Sequence, residues 1–392
     1  MYTTGMVSTT STNIEDYLLW RGDLSFAMSP FTPVDNLMFS VFAYLPFDGL
    51  VPSEAEKRGP TIAEVAQRFA RSNYRDIHGH PFSERMKQHI DFFSRAANTE
   101  RFARVRLSAF QNRFDREVET QFAAVTFSLP DGSHYVAFRG TDATVVGWKE
   151  DFNMSFMTPV PAQHLAVAYL EHIARRLHGK LRIGGHSKGG NLAVYAAAFC
   201  GFWSRRRIRA VYNNDGPGFN EKTIAQKGFR ELEGRLFAYV PQSSIIGMLL
   251  EHSERYTIVQ STQRGIAQHD PYSWVVQGPN FVCVDTVSDT SRFIDSTIKE
   301  WLGALSTTER QRFIDALFDI IEATDITSFT ELSSNWLQRA RAMGEAISNL
   351  DAESRAMLIQ TLKLLFETGK NNIRLILPLR EREEDKKDIV KK

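Results

Sequence analysis

The chain has 392 residues, of which 43% are apolar and 24% charged, and this composition excludes disorder over most of the length. The 47 basic and 46 acidic residues leave a net charge of +1, so the overall charge does not favour binding to nucleic acid. Two cysteines, Cys200 and Cys283, exclude a disulfide framework and a four-cysteine zinc site.

Neither a targeting segment nor a run of about 18 apolar residues is visible. We therefore expect a soluble, cytoplasmic protein without a transmembrane segment. The length fits two or three domains, or one large α/β domain with additions.

Residues 1–100 predict an N-terminal helical segment that packs on the core. Asp35 precedes the apolar run LMFSVFAYL and is expected to cap a short, largely buried helix. A second helix is predicted to begin at Pro60 and a third to cover SERMKQHIDFFSRA, because apolar residues recur there at helical spacing.

Residues 101–290 predict the core domain. The runs VRLSAF, FAAVTFSL and HYVAF are rich in strand-forming residues, and the turn residues Pro130-Asp131-Gly132 precede the third run. From Pro161 onward, helices alternate with strands. A helix from Pro161 to Gly179 is followed by KLRIGG, NLAVYAAAF, IRAVYNN, RLFAYV, SIIGMLLEH and YTIVQ. Such alternation predicts βα units and a mostly parallel central sheet.

Residues 291–378 predict a C-terminal helical extension, and residues 379–392 a charged, solvated tail. The sequence from Ser306 to Glu309 has the pattern of a capping box at a helix start. A later helix is predicted to stop near Gly369. The last two predicted helices carry apolar stripes, at Trp336, Ala340, Met343 and Ile347, and at Leu358, Leu362 and Phe366.

The segment GGHSKGGNLA contains Gly185-x-Ser187-x-Gly189, the spacing of a nucleophile elbow. In such an elbow a serine occupies a strained strand-to-helix turn, and the flanking glycines let neighbouring backbone approach closely. A predicted strand precedes this motif and a predicted helix follows it. The alternative is a glycine-rich turn that holds a phosphate at the helix N-terminus, but neither P-loop nor dinucleotide-binding spacing is present.

The expected chain order in this fold is serine, then acid, then histidine. Only His252 and His269 follow the strand predicted at residues 208–214. His252 falls in a predicted helix, whereas His269 falls in the loop GIAQHDPY after a late strand. We therefore predict that His269 is the catalytic base.

Asp215 is the only aspartate between Ser187 and His269, and it ends the predicted strand IRAVYNN. A carboxylate there can accept the histidine Nδ1 hydrogen and fix its tautomer. The sequence Asp-Gly-Pro-Gly also suits a simple turn. The competing acids are Asp270 and the glutamates Glu221, Glu231, Glu233, Glu251 and Glu254.

The stretch YVAFRGT, followed by Trp148-x-x-Asp151, resembles the F-R-G-[ST]…W-x-x-D block of class 3 lipases. The chain resembles more closely a bacterial lipase-like family of unknown function, over about residues 14–290. That resemblance includes the blocks DYLLWRGDLSF, VDNLMFS, YVPQSSIIGMLL and QHDPYSW. It implies an α/β-hydrolase fold.

The resemblance also implies an oxyanion hole formed by the backbone N–H groups of Thr141 and Lys188. Arg139 and Asp151 are expected to form a structural ion pair. In class 3 lipases the acid usually comes from the next strand along the chain, beyond the one that Asp215 follows. The corresponding stretch here, YVPQSSIIG, has no carboxylate. The placement of Asp215 is similar to that of the acid in pancreatic-type lipases.

The sequence thus predicts a serine hydrolase that cleaves carboxylic esters, with a small ester, a thioester or a lipid as substrate and with no metal or cofactor. An acyltransferase would use the same residues and differ in the acyl acceptor. A non-catalytic scaffold on the same fold is the alternative from another class, with a protein partner bound by the C-terminal helices.

Overall fold

The computed structural model describes residues 12–56, 58–71, 75, 82–115, 117, 120–141, 159–244, 256–286, 289–322, 347–348 and 352–389. These residues form a mixed α/β structure around a seven-stranded sheet whose strands lie in sequence order. The strands are β1 (Arg106–Asp115), β2 (Thr120–Ser128), β3 (His134–Phe138), β4 (Leu181–His186), β5 (Ile208–Asn214), β6 (Leu236–Pro241) and β7 (Tyr256–Val259).

The sheet has an antiparallel part and a parallel part. The first three predicted strands form the antiparallel pairs β1–β2 and β2–β3, and β3 to β7 run parallel. All parallel strands end at the same edge, so residues that follow β4 and β5 meet there. The predicted fold class, an α/β fold with a mostly parallel central sheet flanked by helices, is confirmed.

The connecting helices pack on one face of the sheet. They are α5 (Pro161–Arg176), α6 (Lys188–Phe199), α7 (Phe202–Arg205), α8 (Glu221–Ile224) and α9 (Lys227–Arg230). Side chains alternate along β3, so that Val136 and Phe138 join the core beneath these helices while Tyr135 and Ala137 join the core on the opposite face. Both faces of the sheet are therefore covered.

The N-terminal helices cover the opposite face. They are α1 (Ile14–Arg21), α2 (Pro33–Phe42), α3 (Ile62–Arg71) and α4 (Glu84–Ala96). Nine of the ten residues of α2 are buried, which makes this helix part of the protein interior.

The expectation that Asp35 is the cap residue of α2 is corrected by the structure. Thr32 is the N-cap, and Asp35 is the third helical residue of a capping box, because Pro33 at the first helical position lets the helix start earlier. The Asp35 carboxylate is also buried against Arg101, whose Nε donates to Oδ1 at 2.7 Å. This ion pair joins α2 to the turn after α4.

The C-terminal helices are α10 (Asp289–Ala304), α11 (Thr307–Glu322) and α12 (Ala352–Ile389). The capping box between Ser306 and Glu309 is present. The expectation that a helix stops near Gly369 is wrong, because α12 continues past it. A glycine inside a helix costs only about 1 kcal/mol relative to alanine.

The two apolar stripes predicted in this extension have different outcomes. Leu358 is buried, but Leu362 and Phe366 are exposed on α12. The helix predicted around Trp336 lies outside the described residues. A small β-hairpin, β8 (Val276–Gln277) with β9 (Asn280–Phe281), connects the sheet to α10.

Candidate active site

Ser187 occupies a sharp turn between β4 and α6. Its backbone angles are φ 59° and ψ −136°, a conformation that non-glycine residues rarely adopt and that costs about 1–3 kcal/mol. The Ser187 N–H donates to the carbonyl oxygen of Asn214 at 2.9 Å, which ties the turn to the end of β5. This geometry is the one expected for the predicted nucleophile elbow, a sharp strand-to-helix turn with a strained serine.

The elbow glycines are required by close backbone contacts. A Cβ atom on Gly185 would lie 2.3 Å from the carbonyl carbon of Gly189, and one on Gly189 would lie 2.2 Å from the Phe138 oxygen. Both distances are far below those of real Cβ contacts. The two glycines therefore allow β3, β4 and α6 to meet directly behind Ser187.

Asp215 follows β5 with a positive φ of 54°, and its backbone N–H donates to the Tyr239 oxygen at 2.8 Å. Its carboxylate is fully buried. Oδ2 lies 2.7 Å from His269 Nδ1, and Oδ1 accepts a hydrogen bond from the Ser244 hydroxyl. Both carboxylate oxygens are thus satisfied, one by the predicted base and one by a serine.

His269 ends a 3-10 turn, Gly265–His269, and a quarter of its side chain is exposed. The preceding residue, Gln268, anchors this turn. Its side chain is buried, accepts from the Ser243 N–H at 2.7 Å and donates to the Gln263 oxygen at 2.8 Å. The Trp274 indole donates to the Gln268 carbonyl at 3.0 Å. The loop that carries the predicted base is therefore held from both sides.

The elbow and the base loop are in direct contact through His186, the residue before Ser187. Its Nε2 lies 2.7 Å from the His269 carbonyl oxygen, and the two imidazole centroids are 4.4 Å apart. On its other side, His186 Nδ1 is 3.2 Å from the Tyr44 hydroxyl. Burial holds the pKa of His186 well below its ordinary value, with the nearby His269 as a second cause.

A buried amide pair fixes the ends of β4 and β5 relative to α2. Asn36 Nδ2 donates to Asn214 Oδ1 at 2.8 Å, and Asn214 Nδ2 donates to the Gly185 oxygen at 3.0 Å. Ser40 accepts from the same Asn214 amide at 3.1 Å. Because Asn214 precedes Asp215, this network also limits the position of the carboxylate.

The residues predicted to bind an oxyanion lie next to the elbow. Lys188 is the first residue of α6, so its N–H belongs to the first turn of the helix. Its side chain is buried. Gly140, which precedes Thr141, lies so close that a Cβ on it would be 3.0 Å from Ser187 Cβ. The helix dipole adds partial positive charge at the same point.

The competing residues have other surroundings or lie outside the described residues. Asp270 pairs with Arg85 at 2.8 Å, and Glu231 pairs with Arg205. Glu221 and Glu233 are exposed. Five positions lie outside the described residues: His252, Glu251, Glu254, Trp148 and Asp151. The expected ion pair of Arg139 with Asp151 therefore stays a prediction.

Sequence reasoning missed three residues around the predicted triad: Ser244 contacts Asp215, His186 contacts the His269 loop, and Tyr44 contacts His186. Ser244 lies in the stretch after β6 where class 3 lipases carry their acid, and that position was the available signal. His186 occupies an x position of the G-x-S-x-G motif, where the motif specifies no residue type. Tyr44 lies about 140 residues before the elbow in the sequence, so no local pattern connects it to the site.

Other kinds of site find no support in the described part of the chain. None of its groups of three or more His, Cys, Asp or Glu side chains has an arrangement that could hold a metal ion. None of its helices combines the length and apolar character needed to cross a bilayer.

Three comparisons with known proteins bear on this geometry. The model of a family described as Mbeg1-like matches residues 96–319, which include β1 to β7, the elbow and the base loop. No curated protein matches the chain. Among solved structures, the crystal structure of M37 lipase matches with 13% identity and a TM-score of 0.34, over 56% of this chain and 70% of that one. A likeness at that level carries no inference about activity.

Proposed function

This chain belongs to the Mbeg1-like family, and we propose that it is a serine hydrolase that cleaves carboxylic esters through an acyl-enzyme on Ser187. The observation that carries the proposal is the 2.7 Å contact between His269 Nδ1 and Asp215 Oδ2. The loop that carries His269 also contacts His186, the residue before the strained Ser187. Nucleophile, base and orienting acid in this relation are the parts that acyl transfer needs.

In the proposed reaction, Ser187 Oγ attacks the ester carbonyl carbon while its proton passes to His269 Nε2. Asp215 accepts the hydrogen of His269 Nδ1, which leaves Nε2 free to act as the base and stabilises the imidazolium that forms. The carbonyl oxygen becomes an oxyanion and accepts hydrogen bonds from the N–H groups of Lys188 and Thr141.

Collapse of this intermediate breaks the bond to the alcohol oxygen, and the departing alcohol takes the proton from His269 Nε2. Water then attacks the acyl-Ser187 carbonyl carbon by the same steps. The carboxylic acid leaves, and the serine hydroxyl is restored. The sequence of steps needs no redox partner and uses only these side chains, the two backbone N–H groups and water.

The test is labelling by a fluorophosphonate probe followed by peptide mapping of the modified residue. Wild type should react at Ser187, and the Ser187→Ala variant should lose both labelling and hydrolysis of a short aryl ester. Ser204→Ala is a matched control, because Ser204 is buried on α7 and donates to Glu171. A wild-type protein that neither labels nor hydrolyses the ester would favour a non-catalytic scaffold.

The base is tested separately with alanine variants of the two candidate histidines. His269→Ala should abolish hydrolysis, and His252→Ala should leave turnover near the wild-type value. The reverse result would remove His269 from the proposal.

A further inference from the structure

The second residue of the elbow motif, His186, has a defined tautomer. A carbonyl oxygen only accepts hydrogen bonds, so the 2.7 Å contact with the His269 oxygen requires a hydrogen on His186 Nε2. Because the buried imidazole is neutral at physiological pH, its Nδ1 carries a lone pair. His186 therefore donates to the base loop through one nitrogen and accepts through the other.

Tyr44 is the donor to that second nitrogen. Its hydroxyl oxygen is 3.2 Å from His186 Nδ1, and the residue lies just after the C-terminal end of α2. The Tyr44 ring is stacked on His89 of α4, with centroids 5.8 Å apart, and His89 is stacked in turn on Tyr272 at 5.6 Å. The hydroxyl is thus carried by a ring that packs against α4.

The backbone next to the elbow leaves room for this hydroxyl and for nothing larger. A Cβ on Gly140 would lie 2.2 Å from the Tyr44 hydroxyl oxygen and 2.5 Å from the His186 carbonyl oxygen. The glycine of the Arg139-Gly140-Thr141 block therefore makes space for the contact between Tyr44 and His186.

We infer that Tyr44 and His186 are positioning residues, which hold the His269 loop at the distance that the proposed ester hydrolysis requires. This inference rests on the proposed function. Tyr44 acts by donating a hydrogen to Nδ1, which gives this buried nitrogen a partner and fixes the orientation of the ring. His186 then acts by donating its Nε2 hydrogen to the backbone of the base.

The loss of the Tyr44 hydroxyl has a specific consequence. Without that donor, the buried Nδ1 of His186 loses its hydrogen-bond partner, and the ring is no longer held in the orientation that points Nε2 at the His269 carbonyl oxygen. A turn of the ring lengthens the 2.7 Å contact, so the loop moves away from the elbow. A misplacement of about 1 Å at a catalytic group costs up to about 100-fold in rate.

The kinetic test uses conservative variants and a short aryl ester. Tyr44→Phe keeps the stacked ring and should lower kcat about tenfold, and His186→Phe should lower it about 100-fold, with KM changed less than about threefold. His186→Gln should recover most of the loss relative to His186→Phe, because its amide nitrogen replaces the Nε2 donor.

Tyr169→Phe is the matched control. Tyr169 is a buried tyrosine on the opposite face of the sheet, where its hydroxyl lies 2.9 Å from Thr126 Oγ1 and donates to the Ala109 oxygen at 2.8 Å. It should lose stability and keep its kcat. Values of kcat within twofold of wild type for Tyr44→Phe and His186→Phe would overturn the inference, and so would an equal loss in Tyr169→Phe.

A nitrogen-15 NMR spectrum of the histidine side chains tests the inference without reference to turnover. In wild type and in Tyr44→Phe, His186 should carry its hydrogen on Nε2, because the His269 carbonyl oxygen accepts it, and Tyr44→Phe should shift the Nδ1 resonance, because that nitrogen loses its donor. A hydrogen on Nδ1 in wild type, or an unchanged Nδ1 resonance in Tyr44→Phe, would overturn the inference. If wild type does not react with the fluorophosphonate probe, the proposed function fails, while the tautomer and the Nδ1 shift still decide whether the two contacts exist.

Discussion

Replacement of Asp215 by asparagine separates a catalytic carboxylate from a turn residue. Asparagine keeps the size of the side chain and suits the positive φ of 54° at this position, so the fold should be retained. The buried carboxylate is in contact with His269 at 2.7 Å, and Asp215→Asn removes its charge. The imidazolium that forms during the reaction then loses its counter-charge.

The size of the effect follows from that contact. Two unit charges about 4 Å apart interact by about 4 kcal/mol at an effective dielectric constant of about 20, which corresponds to roughly a 1,000-fold change in rate. An asparagine that turns its NH2 group toward His269 Nδ1 also forces the wrong tautomer, and the combined loss in kcat reaches about 10⁴-fold.

The assay is steady-state hydrolysis of a short aryl ester, with circular dichroism and the thermal midpoint as measures of folding. Asp270→Asn is the control, because that carboxylate neighbours the base but pairs with Arg85 at a partly exposed site. It should change kcat by less than about threefold, as expected for an exposed ion pair. An Asp215→Asn variant that keeps more than a tenth of wild-type kcat would refute the assignment.

Three further predictions concern the surroundings of the site. Ser244→Ala removes the second donor to the Asp215 carboxylate and should lower kcat about tenfold. This corresponds to about 1.4 kcal/mol, as expected for the loss of one hydrogen bond to a charged group. An unchanged kcat in steady-state assays would contradict the prediction. Gly140→Ala places a methyl group 2.2 Å from the Tyr44 hydroxyl oxygen and should lower the free energy of unfolding, measured by urea titration, by about 1–3 kcal/mol. An unchanged urea midpoint would show that the surrounding atoms move to relieve the contact. Burial holds the pKa of His89 at about 3 in the folded protein against 6.5 when unfolded. The unfolded chain therefore binds one more proton at this position as the pH falls below 6.5, and the free energy of unfolding should drop by up to about 1.4 kcal/mol per pH unit. The drop should be shallower in His89→Phe, and an equal pH dependence of the two proteins would contradict the prediction.

The sequence predicted the parts of the site that are encoded locally. The strand, elbow and helix around Ser187 follow from glycine spacing and apolar runs. Chain order, together with the predicted helices that hold His252 and the competing glutamates, selected His269 and Asp215, which the structure brings to 2.7 Å. The parallel strands make this juxtaposition predictable, because the loops after them lie at one edge of the sheet.

The contacts that the sequence did not predict are long-range or depend on packing. Tyr44 and Ser244 contact the candidate site from parts of the chain that are distant in sequence, so local sequence patterns do not reveal these contacts. The N-cap was misassigned to Asp35 because two residues of a capping box both match the composition of a helix start. The prediction of a helix end near Gly369 was wrong because that glycine lies against Phe293 and Thr297 of α10. This contact between helices outweighs the low helix propensity of glycine.

The covering of the sheet by the N-terminal helices imposes an order on the folding of a newly made chain. The strands follow one another in sequence, so each can pair with its predecessor soon after synthesis. The α2 residue Asn36 instead bonds to Asn214, 178 residues later, and His89 bonds to Tyr272, 183 residues later. At about 5–20 residues per second, α2 waits roughly 10–35 s on the ribosome for its partner. During that interval α2 can pack on earlier residues such as Phe93, Phe102 and Phe127, but its contact with the end of β5 is missing, and the candidate site is complete only when the His269 loop has emerged.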